Sequence, residues 1–202
     1  MPAQISENLY KLVLLGHYSV GKTSISQRFC LGNFSSAEEP TIGAAFMTKS
    51  VKNKNSEENI KYNIWDTAGQ ERYKSLIPMY YRGADSALLV FDLTNKETLK
   101  SARGWLQALE SEKPKNFLRI LIGNKNDLET ERRVDFEEAN NLATEFNAVY
   151  YEVSAKTGEG VEKMFSEIGE MLSKVKKSDK KRKEVEDKFI LNKNSSFCCG
   201  LF

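Results

Sequence analysis

The sequence is poor in the residues and patterns that mark several large classes of protein. Only three of its 202 residues are cysteine, and Cys30 is the only one ahead of the neighbouring pair Cys198 and Cys199. No disulfide framework is therefore expected in the globular part. No apolar run approaches the roughly 20 residues that a membrane-spanning helix needs. The opening residues MPAQISENLYK lack the basic and apolar regions of a secretory leader, so we expect a reducing, cytosolic setting.

The chain also has little net charge. Its 30 Lys and Arg residues are nearly balanced by 28 Asp and Glu residues, which leaves a net charge of +2. The basic excess is local, since it concentrates in KVKKSDKKRKEVEDK, which begins at Lys174. Acidic residues such as Asp179 and Glu184 interrupt this run and disfavour binding to nucleic-acid phosphates. We expect no nucleic-acid partner.

What the chain does contain is a regular alternation of apolar runs and segments of helical period. The predicted order is β-α-β-β-α-β-α-β-α-β-α, which indicates an α/β fold. We expect a six-stranded, mostly parallel sheet with one antiparallel strand, flanked by about five helices. The predicted strands are 10–16, 44–51, 60–66, 86–93, 118–124 and 149–154. The predicted helices include 22–31, 96–111, 135–146 and 161–175.

This regular pattern ends near Lys177. We therefore expect one domain over residues 9–177, preceded by an N-terminal extension over 1–8. The remaining residues, 178–202, are charged and then polar, a composition that buries little apolar surface. They are expected to form a flexible tail.

The segment Gly16-His17-Tyr18-Ser19-Val20-Gly21-Lys22-Thr23 fits the phosphate-binding pattern G-x-x-x-x-G-K-[ST]. A predicted strand precedes it and a predicted helix follows, as the pattern requires. Its glycines let backbone N–H groups turn towards phosphate oxygens, and the helix N-terminus adds positive partial charge. Lys22 is expected to bridge the β- and γ-phosphates, and the Thr23 hydroxyl to bind Mg²⁺. The alternative is an ordinary strand-to-helix turn with a surface lysine.

A second motif, IWDTAGQE, ends the third predicted strand, at the edge where ligands bind in open α/β sheets. Asp66 is placed to hold Mg²⁺ through water. Gly69 can bring its backbone N–H close to a γ-phosphate because it has no Cβ. Gln70 is expected to orient an attacking water. By itself this pattern also fits an ordinary turn after a strand.

Two further motifs suit a guanine base. Asn124, Lys125 and Asp127 form N-K-x-D after the fifth predicted strand. The Asp127 carboxylate can accept two hydrogen bonds from guanine, whereas adenine would leave it desolvated and unpaired. In VSAKTG, after the last strand, the Ala155 N–H can meet guanine O6 and Lys156 can pack near the base. Each motif alone is weak.

The four motifs follow four predicted strands and together supply groups for phosphate, metal, water and guanine. On these residues the chain resembles the Ras-like small GTPases, over roughly Leu9 to Lys177. WDTAGQERY and YYRGAD further resemble the Rab branch, and PTIGAAF resembles its early-endosomal members. The resemblance implies the small-GTPase fold, slow hydrolysis of GTP, bound GTP or GDP, and Mg²⁺ as cofactor.

The resemblance also implies roles for individual positions. It implies catalytic roles for Gln70, Lys22, Thr41 and Gly69. It implies Mg²⁺ ligation by Thr23, Thr41 and Asp66. The nucleotide contacts that it implies are Ser19, Val20, Gly21, Lys22, Thr23, Ser24, Phe34, Thr41, Gly69, Asn124, Lys125, Asp127, Ser154, Ala155 and Lys156.

Effector and membrane contacts are implied in the same way. The effector residues would be Ile42, Gly43, Phe46, Trp65 and Tyr80, although plain core packing is an equal alternative for Trp65. The terminus CCGLF resembles a Rab terminus with prenyl chains on Cys198 and Cys199. Two lipid chains give the stable anchoring that one chain does not. The alternative is a solvated tail with unmodified cysteines.

By resemblance, the expected partners are an exchange factor, a GTPase-activating protein, a GDP-dissociation inhibitor and effectors. A monomer is expected, in the cytoplasm and on the cytosolic face of endosomal membranes, with a role in vesicular traffic. One alternative is a nucleotide-locked Rab that acts mainly as an effector-binding module. Another is a metabolic kinase of the same phosphate-loop class, which would need an Arg-rich acceptor lid that the sequence does not show.

Overall fold

The computed structural model describes residues 7–37, 39–52, 59–69, 77–112 and 117–195. Within them the chain forms six strands and five α-helices, with a 3₁₀ turn at Glu129–Glu131. The strands are β1 Glu7–Leu15, β2 Ala44–Lys52, β3 Asn59–Thr67, β4 Ser86–Asp92, β5 Leu118–Asn124 and β6 Val149–Val153. The helices are α1 Lys22–Leu31, α2 Ile77–Tyr81, α3 Lys96–Glu112, α4 Phe136–Glu145 and α5 Val161–Ser195.

The strands form one sheet in the order β2-β3-β1-β4-β5-β6. Strands β2 and β3 pair antiparallel, and the other neighbours pair parallel. Every residue of β4 is buried, which is typical of a strand covered on both faces. The predicted α/β fold, with one antiparallel strand and five helices, is confirmed.

Apolar side chains cover both faces of this sheet. Because side chains alternate along a strand, Leu12 and Leu14 of β1 lie in one core and Val13 and Leu15 in the other. The first core includes buried residues of α1 and α5, and the second includes buried residues of α3 and α4. The sheet is therefore held rigidly between two layers of helices.

This arrangement gathers the loops that carry the motifs. Strands β1, β3, β5 and β6 run in the same direction, so their carboxyl ends meet at one edge of the sheet. The segments that follow Leu15, Thr67, Asn124 and Val153 all begin at that edge. Ligands of open α/β sheets bind in this position.

Two element bounds differ by more than one residue from the sequence-based expectation. Strand β1 begins at Glu7, where it pairs with Asn59 of β3, although residues 1–8 were expected to precede the domain. Helix α5 continues to Ser195, although a flexible tail was expected from 178. The added turns are rich in Lys and contain no Gly or Pro, so nothing in them stops a helix. Among the described helices, none is long and apolar enough to cross a membrane.

Candidate functional site

A cleft of about 420 Å³ opens at the carboxyl edge of the sheet. This volume is within the range of sites that bind small molecules and cofactors. Residues from all four sequence motifs line it, so the fold brings the motifs together. The predicted site residues in its lining are Ser19, Gly21, Lys22, Thr23, Ser24, Phe34, Thr41, Gly69, Asn124, Lys125, Asp127, Ala155 and Lys156.

The loop between β1 and α1, residues 16–21, is called the phosphate loop after its sequence pattern, and it curls around the Lys22 side chain. The Lys22 ammonium donates hydrogen bonds to the backbone carbonyls of Gly16, at 3.0 Å, and His17, at 2.8 Å. Gly21 has φ +93° and lies against the Asn124 side chain, so a side chain there would be both strained and in collision. Ser19 has φ +59°, a conformation that residues other than glycine seldom adopt. The loop therefore wraps around the Lys22 ammonium at the start of α1.

Burial disfavours the charged form of the Lys22 amine unless an anion lies beside it. Lys22 is almost fully buried, and desolvation lowers its pKa to about 8, against a smaller opposing effect of Asp66. A charged amine that is partly deprived of water gains most from an anion placed beside it. The electrostatics of the loop therefore favour a bound phosphate.

Three oxygen-bearing side chains meet next to Lys22. The Thr23 hydroxyl donates to an Asp66 carboxylate oxygen at 2.6 Å, and the Thr23 and Thr41 hydroxyl oxygens lie 2.9 Å apart. These residues come from α1, from β3 and from the loop before β2. Hydroxyl and carboxylate oxygens suit Mg²⁺, which takes few protein ligands and keeps several waters. Thr23, Thr41 and Asp66, the three predicted metal ligands, therefore form a donor set that suits Mg²⁺. In the described part of the chain, no cluster of three His, Cys, Asp or Glu side chains offers another metal site.

Gly69 is packed against the phosphate loop. A Cβ at this position would lie 2.5 Å from the Lys22 ammonium and 2.6 Å from both the carbonyl carbon and the oxygen of His17. Only glycine fits so close to another backbone. Gln70, the residue expected to orient water, lies outside the described residues.

The opposite end of the cleft is organised by Asn124. Its amide donates to the Val20 carbonyl at 2.8 Å, and its oxygen accepts from the Ala155 N–H at 3.1 Å. Asn124 thereby ties the phosphate loop to the loop after β6. The Asp127 carboxylate accepts from the Ser154 hydroxyl at 2.6 Å. Val20 and Ser154, both predicted to contact the nucleotide, have fully buried side chains behind the cleft wall and support it from there.

The two lysines at this end each lie near a carboxylate. Lys125 has φ +70°, and its ammonium lies 2.6 Å from an Asp92 carboxylate oxygen. Lys156 lies 3.9 Å from the second Asp127 oxygen. Asp92 was not among the predicted site residues. Its one local signal was that β4 ends in an aspartate, much as β3 ends one residue after Asp66.

Six further residues line the cleft and were not among the predicted nucleotide contacts: Tyr18, Ser35, Ser36, Glu39, Pro40 and Leu128. Each of them is close in sequence to a predicted residue, and that proximity is the signal that could have found them. Tyr18 is 58% exposed, and its ring lies 4.3 Å from the ring of His17. A bulky side chain therefore stands at the opening of the cleft, beside the phosphate loop.

Three predicted effector residues lie on β2, β3 and α2, and the other two, Ile42 and Gly43, lie in the loop just before β2. The ring centroids of Phe46 and Trp65 are 5.3 Å apart, and those of Trp65 and Tyr80 are 6.2 Å apart. Phe46 is 51% exposed and Ile42 is 86% exposed. Trp65 and Tyr80 are only partly buried and pack against the second core. Trp65 therefore combines both expected features, because its side chain is partly exposed at the surface and also packs against the second core. The fifth predicted residue, Gly43, accepts a backbone hydrogen bond from Ala68 that joins the start of β2 to the end of β3.

Comparison with known proteins agrees with this geometry. A sequence model of the Ras family matches residues 11–174. The chain is also similar to the "Ras-related protein Rab5" of Nicotiana tabacum, with 44% identity over 190 residues. That alignment covers 94% of this chain and 94% of the tobacco protein. The matched region contains all four motifs and every residue that lines the cleft.

Proposed function

The chain belongs to the Ras family and is a Rab-type small GTPase. We propose that its cleft holds GTP or GDP with Mg²⁺. We further propose that the protein acts as a two-state switch in endocytic traffic. As a Rab-type GTPase it hydrolyses GTP and regulates vesicle traffic. The proposal goes further in assigning the endosomal compartment and the roles of single residues.

One observation carries the proposal: Thr41 and Gly69 both reach the phosphate loop. Thr41 lies 2.9 Å from Thr23, and Gly69 packs on Lys22 and His17. Thr41 precedes β2 and Gly69 follows β3, so each belongs to a segment that can move without breaking the sheet. A γ-phosphate contacting both segments would hold them in place, and its loss on hydrolysis would release them.

The residues around Lys22, at the end of the cleft that we call the phosphate end, have separate tasks in hydrolysis. Lys22 neutralises charge on the β- and γ-phosphate oxygens, and the N–H groups of Ser19 and Gly21 orient them. Thr23, Thr41 and Asp66 would hold Mg²⁺, which when bound neutralises the charge that develops on the transferred group. The Gly69 N–H would contact the γ-phosphate, and the Gln70 amide would hold the attacking water in line.

Base recognition rests on Asp127, and Asp127→Asn tests it. Asparagine offers an amide donor where aspartate offers an acceptor, so the variant should lose guanine and accept xanthine, whose edge carries an oxygen there. Two charge-assisted hydrogen bonds are at stake, and we expect GTP binding to weaken by roughly a hundredfold or more. Titration with labelled GTP and XTP measures both changes.

Asp135→Asn is the matched control, because Asp135 is exposed at the start of α4 and its side chain makes no capping hydrogen bond. It should bind both nucleotides as the unaltered protein does. If Asp127→Asn keeps full GTP affinity, the assignment of the base site is wrong.

The membrane part of the proposal rests on the end of the chain. Cys198 and Cys199 lie outside the described residues, and we propose that both carry prenyl chains that anchor the protein to the cytosolic face of endosomes. Exchange factor, activating protein, GDP-dissociation inhibitor and effectors are proposed from the family. The aromatic row of Phe46, Trp65 and Tyr80 supports an effector surface on β2, β3 and α2, and the loop before β2 adds the exposed Ile42.

A further inference from the structure

Arg28, in the last turn of α1, is tied to backbone far away in the sequence. Its Nε donates to the Ala155 carbonyl at 2.8 Å, and one terminal nitrogen donates to the Lys156 carbonyl at 2.6 Å. The other terminal nitrogen donates to the Gly32 carbonyl at 2.8 Å. All three acceptors are backbone oxygens, so the contacts hold loops in place without depending on the loops' side chains.

These carbonyls belong to the two segments that wall the base end of the cleft. Ala155 and Lys156 line the cleft themselves. Gly32 ends α1 in a left-handed conformation and lies two residues before Phe34, which also lines the cleft. One guanidinium therefore sets the distance between the segment that carries Phe34 and the segment that carries Ala155. A planar fork with fixed donor directions suits this task better than a lysine ammonium does.

Ala155 is held from both sides. Its carbonyl accepts from Arg28, and its N–H donates to the Asn124 oxygen at 3.1 Å. The loop also packs on the Arg28 stem, since a Cβ at Gly158 would lie 3.5 Å from the Arg28 Cδ. Arg28 therefore fixes the carbonyl side of Ala155 and Asn124 fixes its N–H side, so the place of the Ala155–Lys156 segment in the cleft depends on both residues.

We propose that Arg28 is a positioning residue for base selectivity, which places the Ala155–Lys156 segment against position 6 of the purine. The inference rests on the proposed function, because it assumes a guanine in this part of the cleft. Recognition of guanine then has two separable parts. Asp127 reads the N–H donors of the base, and the segment held by Arg28 reads the oxygen at position 6.

Two nucleotide analogues separate these parts. In 6-thio-GDP the oxygen at position 6 is replaced by sulfur, a weaker acceptor, and the donors that Asp127 would contact remain. In IDP the exocyclic amine is missing and the oxygen remains. Arg28→Met keeps an unbranched apolar stem and removes every donor. Arg119→Met is the matched control, since Arg119 is buried and also donates to two backbone carbonyls, those of Phe117 and Leu109, but does not line the cleft.

The experiment measures the affinities of GDP, 6-thio-GDP and IDP for the full chain. In the unaltered protein both analogues should bind more weakly than GDP. In Arg28→Met the preference for GDP over 6-thio-GDP should fall by about threefold to tenfold, while its preference over IDP stays unchanged. Arg119→Met should lower the melting temperature and change neither preference.

An Arg28→Met protein that keeps its full preference for GDP over 6-thio-GDP overturns the inference. So does one that loses affinity equally for all three nucleotides, because that result indicates a structural role only. If Arg28→Met does not fold, Arg28→Lys gives the same comparison. The preference for GDP over 6-thio-GDP should then fall by a smaller factor. An unchanged preference in this variant overturns the inference. If the unaltered protein shows no preference for GDP over either analogue, the proposed guanine specificity itself is wrong.

Discussion

Replacing Gly69 by alanine should separate the binding of GTP from the binding of GDP. The added methyl group would lie 2.5 Å from the Lys22 ammonium and 2.6 Å from two backbone atoms of His17. The lysine end can shift, but the His17 backbone cannot move without deforming the phosphate loop. The backbone of Gly69 itself is compatible with alanine, so the predicted effect is steric.

The size of the effect follows from overpacking. Forcing a methyl group into a well-packed contact costs about 1–3 kcal/mol. That penalty applies only while the end of β3 is packed on the phosphate loop, the arrangement that we assign to the GTP state. The ratio of GTP affinity to GDP affinity should therefore fall by about 5- to 150-fold. Dissociation rates of fluorescent GDP and of a non-hydrolysable GTP analogue, each measured with Mg²⁺, give this ratio.

Gly104→Ala provides the control. A Cβ at Gly104 meets nothing within 4 Å, and the residue lies within α3. Alanine there should stabilise the helix by up to about 1 kcal/mol and leave the nucleotide ratio unchanged. If Gly69→Ala binds both nucleotides in the unaltered ratio, the reasoning about the approach of Gly69 to the γ-phosphate is refuted.

Three further predictions concern the phosphate end of the cleft. Burial lowers the pKa of Lys22 to about 8 and bound phosphates favour its charged form, so nucleotide binding above about pH 8 should take up a proton and weaken as the pH rises. Calorimetry in buffers of different ionisation enthalpy detects that proton, and identical heats would contradict the prediction. Gln70→Leu should slow GTP hydrolysis by about 10²-fold or more with GTP affinity retained, and an unchanged single-turnover rate would remove the role given to Gln70. Tyr18→Ser should raise hydrolysis stimulated by an activating protein, because the exposed ring stands where an arginine finger, which can add about 10³–10⁵ in rate, would enter; equal stimulation of both proteins would refute this.

The elements with local start and stop signals could be predicted closely. Helix α1 and strand β5 have the predicted bounds, because glycines flank α1 and polar residues follow β5. Strand β1 begins earlier than predicted because its first residues pair with β3, a contact that no local pattern reports. The end of α5 was missed for the opposite reason. Its charged residues looked like a tail, yet they are also good helix formers.

The site shows the same division between local and distant information. The motif residues could be predicted to lie together because each lies at or just after the carboxyl end of a strand, and these ends meet at the same edge of the sheet. The residues that hold them were not found. Arg28 contacts a carbonyl 127 positions away, and Asp92 pairs with Lys125 of the next strand's loop. Neither contact can be read from a sequence motif, because the tertiary fold brings together residues that are far apart in the chain.

Turnover of bound nucleotide is the most direct test of the central claim, that this cleft is a GTP-hydrolysing switch. Purified full-length protein is denatured and its nucleotide is identified by chromatography. Nucleotide-free protein is then loaded with GTP, and Mg²⁺ is added to start a single turnover. We expect co-purified GDP or GTP and a slow, Mg²⁺-dependent conversion of GTP to GDP and phosphate. Adenine nucleotide in the extract, or bound GTP that is never converted, would contradict the central claim.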